Sequence, residues 1–326
     1  MGKRDSLPQT LDQTYTTILS TPSSTISNPT THRKLLVLDL NGTLVFRPKR
    51  YAKPSTHAQS GSAKLRVVHP RPYMTSFCDY LFHPQTKEWL DAMVWSSAQP
   101  HSVNDMIQHS FGRHQGDLKA VWARDTLDLD PVAYNKKSAT IKDLRKLWKV
   151  FPSHSARTTL LVDDSTQKAC FQPWNHLFVK EYGQAERRRD LDSLYNRTAS
   201  QKPSRARTKK GNHDNLDVSD LLDNMTLSPP PIPETTLVSP SSSESVDSIL
   251  LAVIGILDAL KYQDNVSGWL KSGGIVRCGA EDVSSGGALI GHRWFDVVHV
   301  VDWWANRGRA ALKKLNIDEV VGVVNC

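Results

Sequence analysis

Three short, uninterrupted apolar runs stand out in the first half of the chain: Leu35-Leu36-Val37-Leu38, Ala92-Met93-Val94-Trp95 and Thr159-Leu160-Leu161-Val162. Runs of this length without polar alternation predict strands covered on both faces, as in a parallel sheet. Around them, apolar residues recur at helical spacing over Tyr73 to Phe82, Val103 to Phe111 and Ile141 to Val150. Strands alternating with helices predict an α/β fold whose parallel sheet is joined by right-handed crossovers. Further along, Ile249, Leu250, Val253, Ile254, Leu257 and Leu260 fall on one helical face, and Val301 to Leu315 forms another helix candidate.

Between these segments the chain turns polar. Residues 1–32 hold few large apolar side chains and no periodicity, which predicts a disordered N-terminus. Arg47 to Ala63, rich in Lys, Pro, Ser and Gly, reads as a long excursion after the first strand. From about residue 183, Arg187-Arg188-Arg189 opens a tract containing six basic residues without an acid between Arg197 and Lys210. An acidic, Leu-dotted piece, a Pro triplet and a Ser cluster follow. The expected organisation is therefore a core over 33–182, a disordered insertion over 183–245, closing helices over 246–272 and an extension over 273–326.

Composition refines this picture only in part. Hydrophobic content of 39% and charged content of 23% describe a globular chain diluted by polar sequence. The net charge of +8 favours acidic partners, and the basic run over 197–210 is the natural place for one. Nucleic acid is the weaker match, because no aromatic residue interleaves with the run to stack on bases. Cys78, Cys170, Cys278 and Cys326 lie far apart with no CxxC pair, which argues against a zinc site or disulfides and for a reducing compartment. The nucleus or cytoplasm is thus expected, with the mitochondrion as the alternative. Asp5 and Asp12 interrupt any basic amphipathic presequence. The longest apolar run, Ile249 to Leu257, is far short of the roughly 20 residues of a membrane crossing.

Candidate chemistry clusters where the apolar runs end. Asp39-Leu40-Asn41-Gly42-Thr43 follows the first run directly, at the strand end where open α/β sheets bind ligands, although Asn-Gly also signals a plain tight turn. Asp163-Asp164 follows the third run. Adjacent carboxylates suit either a solvated turn or a divalent cation, and Mg²⁺ takes one or two carboxylates plus waters and phosphate oxygens. Ser96-Ser97 follows the second run and Lys142 opens the Ile141 helix; a helix cap and a surface lysine are the bland readings. Taken in order, the four place a nucleophile, a hydroxyl donor, a cation and a metal clamp at one sheet edge. Phosphoryl transfer needs those parts.

The same order resembles the NLI-interacting-factor-like branch of the haloacid dehalogenase (HAD) superfamily, which includes phosphatases of the RNA polymerase II C-terminal domain. Arg71-Pro72 with Phe77, Val94-Trp95-Ser96-Ser97-Ala98, Lys142-Asp143-Leu144 and Val162-Asp163-Asp164-Ser165 resemble its successive motifs. The likeness resumes at Ile254-Gly255-Ile256-Leu257 and Asp264-Asn265-Val266. It implies a three-layer Rossmannoid sheet with a flap insertion, and a Mg²⁺-dependent phosphoprotein phosphatase. In that scheme Asp39 is the nucleophile, Thr43 braces its loop, Ser96 donates to a phosphoryl oxygen and Lys142 neutralises charge. Mg²⁺ is held by Asp39, the Asn41 carbonyl and Asp164, with Asp163 assisting through water. One departure stands out: Asn41 occupies the position of the acid–base Asp, which implies low activity. The alternative is a pseudophosphatase: a phosphopeptide-binding adaptor, or a protein resembling the presequence-receptor subunit of the mitochondrial inner-membrane translocase, which uses the same fold.

Overall fold

A computed structural model describes residues 12–48, 66–136, 138–200, 246–276 and 293–323. Most of the flap excursion, residues 201–245 of the expected insertion, Cys278 and Cys326 lie outside the described residues. The strands are β1 (Lys34–Leu38), β2 (Val45–Phe46), β3 (His69–Pro70), β4 (Leu90–Trp95), β5 (Val121–Trp122), β6 (Thr159–Asp163) and β7 (His176–Phe178). The helices are α1 (Gln13–Ser20), α2 (Met74–Phe82), α3 (Pro84–Lys87), α4 (Pro100–Phe111), α5 (Pro131–Asn135), α6 (Arg145–Val150), α7 (Gln184–Ser200), α8 (Ile249–Leu260), α9 (Val266–Lys271) and α10 (Val298–Lys314).

Five strands form a parallel sheet in the order β5-β4-β1-β6-β7, with β1 at the centre. Because strand side chains alternate, β1 feeds two cores. Leu36 and Leu38 meet α2, α4, α8 and α10 on one side, while Leu35 and Val37 meet Leu127, Leu144 and Leu147 on the other. This is the expected three-layer α/β fold. The flap begins as the antiparallel pair β2–β3, directly after the β1 loop. Trp122 and Trp148 pack on the second core, while Trp174 is partly exposed.

Two expectations need correction. Residues 12–32 are not disordered: Asp12 caps α1 through the Thr14 and Tyr15 N–H groups, and Tyr15 and Leu19 are buried against Ala156. Two well-spaced apolar residues suffice once the domain offers a groove, which an isolated reading of the segment does not show. The polar tract does not begin at 183 either, because α7 runs to Ser200 with Arg187, Asp190 and Ser193 buried. Its inner face is polar, so no apolar stripe announced it. In the extension, α10 packs along α8 at such close range that a Cβ on Gly255 would stand 2.1 Å from the Trp304 carbonyl oxygen. No helix among the described residues is long and apolar enough to cross a membrane.

Candidate active site

β1 and β6 are paired in register, Leu38 beside Val162, so the residues that follow each strand emerge together at the carboxyl edge of the sheet. Asp39 is held there by its own N–H, which donates to the Val162 carbonyl at 3.0 Å. The chain then turns sharply, with the Thr43, Leu44 and Val45 N–H groups all donating to the Leu40 carbonyl. Gly42 adopts φ +92°, and a Cβ there would lie 2.4 Å from Asp164 Oδ2. Only glycine satisfies both the backbone and the space.

Thr43 locks the two loops together. Its hydroxyl donates to Asp164 Oδ1 at 3.2 Å and accepts from the Asp164 N–H at 3.1 Å. One oxygen each from Asp39, Asp163 and Asp164 lie within 4.8 Å of one another, with Asp39 and Asp163 buried. Lys142 is fully buried and reaches Asp39 Oδ1 at 3.0 Å and Asp163 Oδ2 at 2.6 Å. It does not open a helix as expected. Its N–H is bonded to the Lys168 carbonyl, and α6 begins only at Arg145. An extended approach lets the ammonium reach between the two strand ends.

Lys168, which sequence reasoning missed, completes the cluster. Its ammonium lies 2.8 Å from Asp39 Oδ2, 2.9 Å from Asp163 Oδ1 and 3.7 Å from Asp164 Oδ1. The residue sits on the 3₁₀ turn Thr166–Ala169 that follows the Asp pair, and the turn bends the chain back over the end of β6. Its position four residues after Asp164 was the available signal.

The charges interact strongly. Burial would raise the Asp39 carboxyl, but the Lys142 and Lys168 ammoniums override it and hold the group down at about 2, so it is ionised. Asp164 goes the other way, to about 6. Burial dominates, Lys168 opposes it, and the Asp39 and Asp163 charges add to the rise. Burial would depress Lys168, yet the same three carboxylates raise it.

The remaining expected side chains each have described partners of their own. Ser96 is buried at the end of β4, its hydroxyl accepting from the Ala98 N–H at 3.3 Å. Asn41 is exposed, and its Oδ1 accepts from the Arg47 N–H at the start of the flap, 3.1 Å away. Asp163 is wholly buried, its two oxygens taken by the lysines and the Ser165 N–H. His176 is structural, with its Nε2 bonded to the Asp163 carbonyl.

Arg71 is the outer brace. It donates to the Thr43 carbonyl at 2.9 Å and the Lys180 carbonyl at 3.0 Å, and makes a two-pronged pair with Asp247 at 3.1 and 2.8 Å. The Asp39 loop is thereby tied to the residue that precedes α8. Tyr182 closes the ring: its N–H donates to the Gly42 carbonyl and its hydroxyl to Asp190.

Two comparisons bear on this arrangement. The family model described as NLI interacting factor-like phosphatase matches residues 34–204. An uncharacterized FCP1 homology domain-containing protein of Schizosaccharomyces pombe is 31% identical over 169 residues. That match covers 49% of this chain and 66% of the relative, just under two thirds of its length. The family match extends through α7, in keeping with that helix being built into the fold.

Proposed function

Because the chain belongs to the NLI interacting factor-like phosphatase family, within the HAD superfamily, we propose that its site takes phosphoprotein monoesters and transfers their phosphoryl group to Asp39. The convergence of Asp39, Asp163 and Asp164 with two ammoniums at one sheet edge carries this reading.

The donor set fits Mg²⁺, since three carboxylates supply hard oxygens close enough to share one ion. Asp39, Asp164 and the Asn41 carbonyl would hold it, and when bound it would neutralise charge on the phosphoryl oxygens. The protein's own residues do the rest. Asp39 is ionised and fixed by its backbone bond to Val162, so one carboxylate oxygen can bond to phosphorus as the ester P–O bond breaks. The products of that step are an aspartyl phosphate and the freed alkoxide or phenoxide. Water then attacks the acyl phosphate, releasing phosphate and restoring Asp39. Lys142 spreads positive charge over the attacking carboxylate, and Ser96 offers a hydroxyl from the neighbouring strand end.

Asn41 governs how far this chemistry runs. An amide cannot give a proton to the leaving oxygen or take one from water. A general acid–base group contributes roughly 10²–10⁴-fold, so phenolic esters should be hydrolysed and phosphoserine esters poorly. The same residue favours a second reading, a phosphopeptide-binding adaptor, because its side-chain oxygen is engaged by the Arg47 N–H. The test is turnover by the full chain with Mg²⁺ of p-nitrophenyl phosphate and of a phosphoserine peptide. Asn41→Asp should raise the phosphoserine rate by about 10²-fold or more, and Asp39→Asn should abolish both activities. If Asn41→Asp stays inert on every ester while phosphopeptide still binds, the adaptor reading takes its place.

A further inference from the structure

Two lysines pair with the three carboxylates of the cluster, and they are not equivalent. Lys142 is sealed, its side chain 0% exposed, between Asp39 and Asp163. Lys168 is 15% exposed and touches one oxygen from each of Asp39, Asp163 and Asp164. Those are the same three carboxylates whose oxygens come within 4.8 Å of one another as a metal-ligating set. The Lys168 ammonium therefore stands where a divalent ion bound by that set would stand. It is carried on a short 3₁₀ turn rather than a strand, so its stem can swing without disturbing the sheet.

We propose that Lys168 is a built-in counter-cation of the ion site: with Lys142 it offsets the charge of the three carboxylates in the ion-free protein, and it is displaced when Mg²⁺ enters. The inference rests on the reading of Asp39, Asp163 and Asp164 as an ion site. Three carboxylates with oxygens within 4.8 Å of one another would repel one another strongly if unpaired, because burial weakens solvent screening. Lys142 relieves only part of that charge. With Lys168 beside Lys142, two ammoniums face three carboxylates, so most of the repulsion among them is offset without an ion. The consequence falls on affinity: Mg²⁺ must compete with an ammonium delivered at high local concentration by the chain itself. An ammonium and a divalent ion cannot occupy the same position among those oxygens, so binding is an exchange rather than an addition.

The proposal is tested on the full chain by two measurements. Mn²⁺ serves as the paramagnetic probe, with the free ion counted by electron paramagnetic resonance for wild type, Lys168→Met, Lys168→Gln and Asp164→Ala. Both neutral variants should bind Mn²⁺ at least tenfold more tightly than wild type, and melt at lower temperature without the ion. The glutamine variant keeps the measurement open should the methionine one fail to fold. In parallel, lysine acetylation of wild type is read peptide by peptide with and without saturating Mg²⁺. Lys168 should go from protected to reactive when the ion is added, while Lys142 stays protected. If wild type binds Mn²⁺ and both neutral variants bind it equally or more weakly, or if Lys168 stays protected in saturating Mg²⁺, the counter-cation role is wrong and the ion site stands. If neither wild type nor the neutral variants bind Mn²⁺ more tightly than Asp164→Ala, the ion site and the counter-cation role fall together.

Discussion

Replacing Arg71 with Met removes the member that joins the Asp39 loop to the part of the chain beyond residue 245. The Arg71 side chain is 0% exposed and Asp247 11% exposed, so the pair is shielded from solvent. Four hydrogen bonds are lost: two to the Asp247 carboxylate and one each to the Thr43 and Lys180 carbonyls. Methionine fills much of the volume but leaves the carboxylate without its cation. Breaking a buried pair by removing one partner typically costs about 3–5 kcal/mol. For a fold of this size each kcal/mol moves Tm by roughly 2–4 °C, giving an expected fall of about 6–20 °C. Urea unfolding and calorimetry would read it directly. Pairing the change with Asp247→Asn should recover about 1–3 kcal/mol relative to the sum of the single variants, because both ends of the pair are then neutral. A loss below about 1 kcal/mol for Arg71→Met, the usual range of an exposed pair, or strict additivity of the two changes, would refute the brace.

Two further outcomes follow from packing and from charge. Gly308→Ala places a Cβ 2.0 Å from the Leu251 carbonyl oxygen, so it should destabilise the protein by about 1–3 kcal/mol through forced separation of α8 and α10; an unchanged Tm would show that α10 is dispensable to the core. Asp190 has its carboxyl raised from 3.8 to about 6, by burial above all and by the nearby Asp247 charge, against the Asp247 N–H, the Tyr182 hydroxyl and Arg71. The folded state thus holds this proton more tightly than the unfolded chain, and the stability it contributes is complete below pH 4 and lost as pH rises through 6. Asp190→Asn should therefore gain stability relative to wild type between pH 4 and pH 7 in urea titrations, and a constant difference across that range would contradict the shift.

What could be read from the residues was whatever depends on apolar periodicity or on order along the chain. β1, β4 and β6 were legible because each holds an unbroken apolar run buried on both faces, with its polar residues only near the ends. β5 and β7 were not, since strands of two and three residues carry no pattern. α7 escaped because its inward side includes Arg187, Asp190 and Ser193, and the Asp190 carboxylate finds its partners outside the helix, in Tyr182 and Asp247. Lys142 was identified, yet placed on a helix, because the apolar spacing over Ile141 to Val150 extends one turn beyond the backbone that follows it. Lys168 looked like any surface lysine. Only the turn after Asp164 reveals that its side chain folds back onto the carboxylates.

The distribution of these roles explains why family membership and turnover are separate questions for this chain. Asp39, Asp163, Thr43 and Arg71 are buried, and each bonds to a neighbouring loop or strand, so altering any of them disturbs the frame together with the chemistry. Asn41 differs from them. It is exposed, and the one side-chain bond described for it is the Arg47 N–H donating to Oδ1. An aspartate has the same shape and can accept that bond equally well. Exchange between the two residues should therefore be nearly silent for the fold, while under the proposed mechanism it would add or remove a proton donor at the leaving oxygen. The motifs that identify the family are held in place by packing, whereas the position we propose to set the rate on alkyl phosphates has one described side-chain hydrogen bond, at the surface. A change in turnover caused by Asn41→Asp, read together with that variant's Mg²⁺ affinity because the new carboxylate stands two residues from Asp39, should therefore report on proton transfer with little contribution from the fold.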